Sequence, residues 1–144
     1  MKANKLTPNF EVKDIRETVE FYQSVLGFSL TMAVPETQDG IEQALVDEKE
    51  YSYALVSKDN VEMMFQRTDS FKKDVCFAND LSLGASVSFY MEIEGIDDFY
   101  NHIKNKNINP TELKTAWYGM REFYFKDNNG YILGFAEKTD NYIE

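Results

Sequence analysis

The sequence predicts an α+β fold made of two βαβββ modules, on three observations. Glu11-Val12-Lys13-Asp14-Ile15 and Glu92-Ile93-Glu94-Gly95-Ile96 open two helical stretches 81 positions apart (92 − 11 = 81). A strand-like run precedes each of them. Two more β-rich segments joined by a polar turn follow each, with the turns at Asp59-Asn60-Val61 and Asn129-Gly130-Tyr131. Two copies of one supersecondary unit usually join about a pseudo-twofold axis, so equivalent positions from both would line whatever lies between them.

The elements follow in order. Residues 6–12 read as a strand. Asp14 is a good N-cap with Glu17 three positions on, the capping-box spacing. Ile15, Val19, Tyr22 and Leu26 then recur at helical spacing and form one apolar stripe. Gly27 stops that helix as a left-handed residue, and Phe28 folds back onto its last turn. Strands are expected over 28–34, 43–46, 52–56 and 61–66, with a polar loop over 35–40. Residues 68–84 show neither helical nor strand periodicity and read as a linker pinned by Phe71 and Phe77. The second module opens with a strand over 85–93. Ile96, Phe99, Tyr100 and Ile103 mark its helix, which carries Asp97 and Asp98 in the first turn and ends near Asn107. A strand over 111–116, then a hairpin of 121–126 and 131–137 about Asp127-Asn128-Asn129-Gly130, complete the pattern. The expected organisation is a first module over 1–67, a linker over 68–84 and a second module over 85–144, together one domain.

Composition narrows the function classes. The chain has 144 residues, 43% of them hydrophobic and 15% aromatic, enough for a core without staples. A formal charge of −10 repels phosphate backbones, so nucleic acid is not an expected partner. That charge is either a solubility device or an acidic surface that attracts cations. Cys76 is alone, which fits a reducing compartment. No stretch approaches 18 apolar residues, and the first residues carry no apolar signal region, so no membrane partner and a cytoplasmic location are expected. No phosphate-loop, nucleophile-elbow or Cys/His metal motif occurs.

The run from Val12 to Phe28, with Phe21-Tyr22 and Val25-Leu26-Gly27-Phe28, resembles the opening of the glyoxalase/bleomycin-resistance family, the vicinal oxygen chelate superfamily. Gly119-Met120-Arg121-Glu122-Phe123-Tyr124-Phe125 and Asp127-Asn128-Asn129-Gly130-Tyr131 are similar to its closing stretch. The resemblance spans roughly residues 6–137, and it implies curved sheets around a shared cavity and a homodimer. It leaves the activity open, because this scaffold carries isomerases, dioxygenases, transferases and drug-binding proteins.

Metal enzymes of that family place ligands on the first and last strands of each module. Carried over, those positions fall on Thr7, Met64, Ser88 and Gly134. None of these residue types holds a catalytic divalent cation. No metal and no other cofactor is therefore expected, and no catalytic residue is assigned. His102, the single histidine, reads as a solvated surface residue.

Strand alternation from these positions adds Asn9, Glu11, Tyr90 and Glu92, then Glu62, Gln66, Ile132 and Ala136. Such a mixture suits a small-molecule site, although the same residues could simply fill a sheet interior or form rim ion pairs. Glu11 stands where the resemblance suggests an arginine that grips a carboxylate in glutathione-using relatives, and with Glu92 it would favour a cation. Trp117 and Tyr118 could stack on a flat ligand or plug a core. Arg121 either pairs with a nearby acid or reaches an anionic group. The expected function is metal-free binding of a small cationic or aromatic molecule. The alternatives are a divergent lyase, isomerase or dioxygenase built around Glu62, Glu11 and Glu92, and a protein-interaction module.

Overall fold

Asp14 begins the first helix as the spacing predicts: its Oδ1 accepts the Glu17 backbone N–H at 2.8 Å. Helix α1 (Ile15–Leu26) follows β1 (Asn9–Val12). Gly27, at φ 73°, ends it in the left-handed region, where a side chain would be strained. Phe28 then turns back, its N–H on the Tyr22 carbonyl at 3.0 Å and its ring 5.8 Å from that of Tyr22. Asp14→Ala should lower stability by about 1 kcal/mol, and Asp14→Asn by much less, because only alanine lacks a capping oxygen. Urea unfolding of the two variants checks this.

The structure is a computed structural model and describes residues 1–84 and 86–139. The expected second-module start at Ala85 and its end over 140–144 lie outside the described residues. The chain divides into two compact units, Met1–Leu83 and Gly84–Glu144.

In the first unit, β1, β2 (Ser29–Pro35), β3 (Tyr51–Lys58) and β4 (Val61–Arg67) form one sheet in the order β1-β4-β3-β2. Only the β1–β4 pair is parallel. Helix α1 covers one face through Ile15, Val19, Tyr22 and Leu26, against Phe10, Val12, Val56, Met63 and Phe65, all buried. The Phe65 ring lies 4.7 Å from Tyr22 and 5.8 Å from Phe10, so three rings share one cluster.

The second unit repeats the arrangement. Its strands β5 (Ser88–Glu92), β6 (Lys114–Thr115), β7 (Met120–Lys126) and β8 (Ile132–Lys138) run in the order β5-β8-β7-β6, and its helix α3 is Ile96–Lys104. Phe99 packs on Phe135 at 4.9 Å, with Phe123, Phe125, Ile96 and Ile103 buried alongside. Asp127 shapes the hairpin by accepting the N–H groups of Asn129 and Tyr131 at 2.8 and 2.9 Å. Glu137 caps α3, accepting from Gly95 and Ile96 at 3.0 and 3.1 Å.

Several expected elements are corrected. The first strand starts at Asn9, because Pro8 has no N–H to give the ladder and Leu6 stays exposed. The expected strand over 43–46 does not form; only Ala33 and Glu42 bridge. Arg16 takes the Val46 and Lys49 carbonyls at 2.7 and 2.8 Å, and the Tyr51 hydroxyl takes the Val46 N–H, so these groups are lost to any ladder. The strand expected over 111–116 shrinks to Lys114–Thr115. Helix α3 ends at Lys104, before the expected Asn107.

The stretch read as an aperiodic linker holds helix α2 (Thr68–Asp74) and a 3₁₀ turn (Cys76–Ala78). No residue of α2 is fully buried, so it carries no apolar stripe and polar bonds fix it instead. Arg67 forks onto Asp69 at 2.8 Å and reaches Glu36 at 2.8 Å. That guanidinium holds the Asp69 carboxyl down to about 2.

Candidate functional site

Each helix covers one face of its sheet, so the opposite face of each unit is where polar side chains collect. In the first unit Phe10 and Val12 turn toward α1, which puts Asn9 and Glu11 on the other face. The register pairs Asn9 with Met64, Glu11 with Gln66, Leu55 with Met64, Tyr53 with Gln66 and Ser57 with Glu62. Cross-strand partners share a face, so these residues lie together.

Glu11 and Gln66 are each 7% exposed. Gln66 is the hub of the group: its Oε1 accepts from Asn9 Nδ2 at 2.9 Å, and its Nε2 donates to Ser70 Oγ and Asp74 Oδ2, both at 2.8 Å. Glu62 pairs with Lys5. Burial, and secondarily Glu62, pushes the Tyr53 phenol up. Thr7 lies before β1 and is half-buried.

In the second unit Tyr90, Gly134 and Tyr124 form one row across three strands, and Glu92, Ala136 and Glu122 form the next. Gly134 is what lets the two tyrosines lean together. A Cβ there would sit 2.6 Å from Tyr124 Cε1 and 3.2 Å from Tyr90 Cδ1. The Tyr90 and Tyr124 ring centroids are 6.4 Å apart. Glu122 is gripped from two sides: Tyr90 donates its hydroxyl to Oε2 at 2.5 Å and Tyr118 donates to Oε1. Trp117 meets the Tyr118 ring edge-on at 5.4 Å and is 91% exposed.

These bonds shift the phenols. The hydrogen bond to Glu122, then burial, pushes Tyr118 up to about 12 from an ordinary 10.0. Tyr90 and Tyr124 also rise, through burial first and Glu122 second. The folded chain therefore favours the neutral phenols. The contribution of Tyr118 to stability is complete below pH 10 and is lost as the pH rises through about 12. An absorbance titration of tyrosinate should show this high native midpoint for Tyr118, and Glu122→Gln should bring it back toward 10.0.

The remaining residues singled out in the sequence are placed as follows. Ser88 and Glu92 lie at the two ends of β5 and are exposed. Arg121 leaves the polar face: its guanidinium bonds Asp97 Oδ1 on α3 at 2.9 and 3.2 Å, so it pairs with an acid within its own unit. His102 is exposed on α3, its ring centroid 6.3 Å from that of Phe99. Glu122, Tyr124, Tyr53, Ser70 and Asp74 belong to the polar faces and were not among the residues picked from the sequence. Reflecting Gly134 through the Asp127–Gly130 turn would have found Tyr124 and, two residues on, Glu122.

A cleft of about 610 Å³ lies elsewhere in the first unit, between α1, the start of β2 and the 36–50 loop, with Glu20, Gln23, Leu30 and Asp47 among its walls.

The metal positions implied by the resemblance can be tested against the pairing. Met64 lies opposite Asn9 and Gly134 opposite Tyr90, two residues along from Thr7 and Ser88. Thioether, amide, phenol and no side chain at all do not make a site for a catalytic divalent ion. Among the described residues, no three His, Cys, Asp or Glu side chains come together to hold one. The residues do not fit the group.

A repeated βαβββ unit with a helix on one face and a polar opposite face defines an α+β protein of the glyoxalase type. The chain belongs to the Glyoxalase/Bleomycin resistance protein/Dioxygenase superfamily, whose model matches residues 8–135. It is 29% identical over 133 residues to bleomycin resistance proteins from Geobacillus stearothermophilus and Staphylococcus aureus. These matches cover 91% of this chain and 94% of the relatives. Among solved structures, a glyoxalase/bleomycin resistance protein/dioxygenase from Nocardioides has a TM-score of 0.70 at 16% identity, covering 98% of this chain and 87% of that one. TnmS3, an antibiotic binding protein from Streptomyces sp. CB03234, has a TM-score of 0.62 at 17% identity, covering 96% and 100%. At those identities the structural likeness speaks for the fold. No helix among the described residues is long and apolar enough to cross a membrane.

Proposed function

We propose that this protein binds a small organic cation with aromatic character and does so without a metal. The observation that carries the reading is the group around Glu122. Two tyrosine hydroxyls hold one carboxylate in place, the Tyr124 ring lies beside that of Tyr90, and Trp117 stands 91% exposed against the Tyr118 ring. Aromatic faces and a fixed carboxylate both attract an organic cation. The chain's charge of −10 adds a favourable long-range field for such a ligand. The names of the sequence relatives suggest bleomycin, a basic glycopeptide, as the first probe. The resemblance also suggests a homodimer, and the lone Cys76 suggests the cytoplasm.

Trp117 is the one tryptophan of the chain and serves as the reporter. Bleomycin should change its fluorescence saturably, and Glu122→Gln should weaken binding at least about tenfold, equivalent to roughly 1.4 kcal/mol. An unaltered signal, or equal affinity in Glu122→Gln, would falsify the role given to this group.

A further inference from the structure

Trp117 is 91% exposed although the turn that carries it is firmly tied. The Gly119 N–H bonds the Ala116 carbonyl at 2.9 Å, and the Ala116 N–H bonds the Met120 carbonyl at 2.8 Å. Thr139 gives both its N–H and its hydroxyl to the Gly119 carbonyl, each at 2.9 Å. A fixed turn thus holds a large ring out in water, and the ring does not stand alone. Trp117 and Tyr118 meet at 85°, so their faces make two adjoining walls at right angles. Tyr118 and Tyr90 both donate to Glu122, Tyr90 is 45% exposed, and Tyr124 leans beside it. All of these residues belong to the second unit.

The carboxylate and the rings offer different things to a cation. Among the described residues no lysine or arginine pairs with Glu122, although Lys114 lies opposite it on β6, so its charge is uncompensated. Each of its oxygens, however, already takes a phenol hydroxyl. A primary ammonium brings three N–H donors, which lose water on docking and then need acceptors. A trimethylammonium group brings none, and its charge is spread over methyl groups that lie well against ring faces. We infer that this group of residues selects a quaternary ammonium: a trimethylammonium head seated in the corner of Trp117 and Tyr118, with Glu122 balancing its charge. This rests on the proposed binding of organic cations and deepens it by naming the head group.

The test compares benzyltrimethylammonium with benzylammonium, two aromatic cations of equal charge that lack or carry N–H groups. NMR titration of the whole chain should show benzyltrimethylammonium binding about tenfold tighter, with its N-methyl signal shifted upfield by the ring faces. Trp117→Leu, at an exposed position, should weaken benzyltrimethylammonium about fivefold and reduce that upfield shift. Tyr118→Phe keeps the ring and frees Glu122 Oε1, so benzylammonium should gain and the preference should fall below about threefold. Equal binding of the two probes, or tighter binding of benzylammonium, by the unaltered chain would overturn the quaternary selection and leave cation binding standing. An unchanged affinity in Trp117→Leu would overturn the seat given to the head group, and an unchanged preference in Tyr118→Phe would overturn the reason for the selection. If neither probe binds, the inference fails; bleomycin binding in the same sample would then preserve the broader reading, and its absence would end both. The unaltered chain gives the decisive comparison even if a variant does not fold.

Discussion

Truncating Phe65 to alanine is expected to lower the unfolding free energy by about 3–5 kcal/mol. The Phe65 side chain is fully buried, and its ring touches those of both Tyr22 and Phe10. Removing it takes one ring from a three-ring cluster that joins α1 to the sheet. The neighbours, Tyr22 anchored on α1 and Phe10 on β1, cannot close the gap. Small proteins have only about 5–15 kcal/mol in total, so the loss is a large share. Urea unfolding followed by circular dichroism should show a lower midpoint with an unchanged slope. A drop under about 1 kcal/mol would mean that this cluster does not hold helix and sheet together.

Gly134→Val is expected to destabilise by about 1–3 kcal/mol and to abolish cation binding at the same time. The first added carbon already falls 2.6 Å from the Tyr124 ring, and two methyl groups make the conflict worse. Tyr124 must swing away, Tyr90 loses its ring partner, and the wall beside Glu122 opens. A double variant, Gly134→Val with Tyr124→Ala, should recover part of the lost stability, because the two positions share one volume. It should not recover binding, since the ring itself is missing. Unfolding and Trp117 fluorescence measured on the same samples check both parts. Additive stability effects would show that the glycine and the tyrosine are not coupled.

The helices and hairpins could be read from the sequence because their signals are local. Asp14, Gly27 and the apolar stripe of α1 act within a few residues of one another, and so does Asp127 with its turn. The failures came where a distant partner overrides local preference. The 43–46 segment has strand-like residues, but Arg16 on α1 captures the Val46 carbonyl from thirty positions away. Helix α2 has no stripe to reveal it; side-chain bonds from Arg67 and Gln66 hold it, and those need the folded sheet.

The polar face was partly legible for the same kind of reason. Period-2 alternation gave Asn9, Glu11, Glu62, Met64 and Gln66 together, because a strand fixes which residues share a side. It did not give Glu122. Arg121, its neighbour, carries the more conspicuous charge, but its side chain turns the other way to meet Asp97. The significance of Gly134 was also hidden: an absent side chain says nothing until the two tyrosines across the ladder are known.

Binding without a metal is tested most directly by calorimetric titration of chelator-treated protein with bleomycin. Saturable heat is expected from the stripped chain, unchanged when zinc, manganese or iron is restored and lost in Glu122→Gln. Heat that appears only after a divalent ion is added back would contradict a site made of tyrosines and one carboxylate.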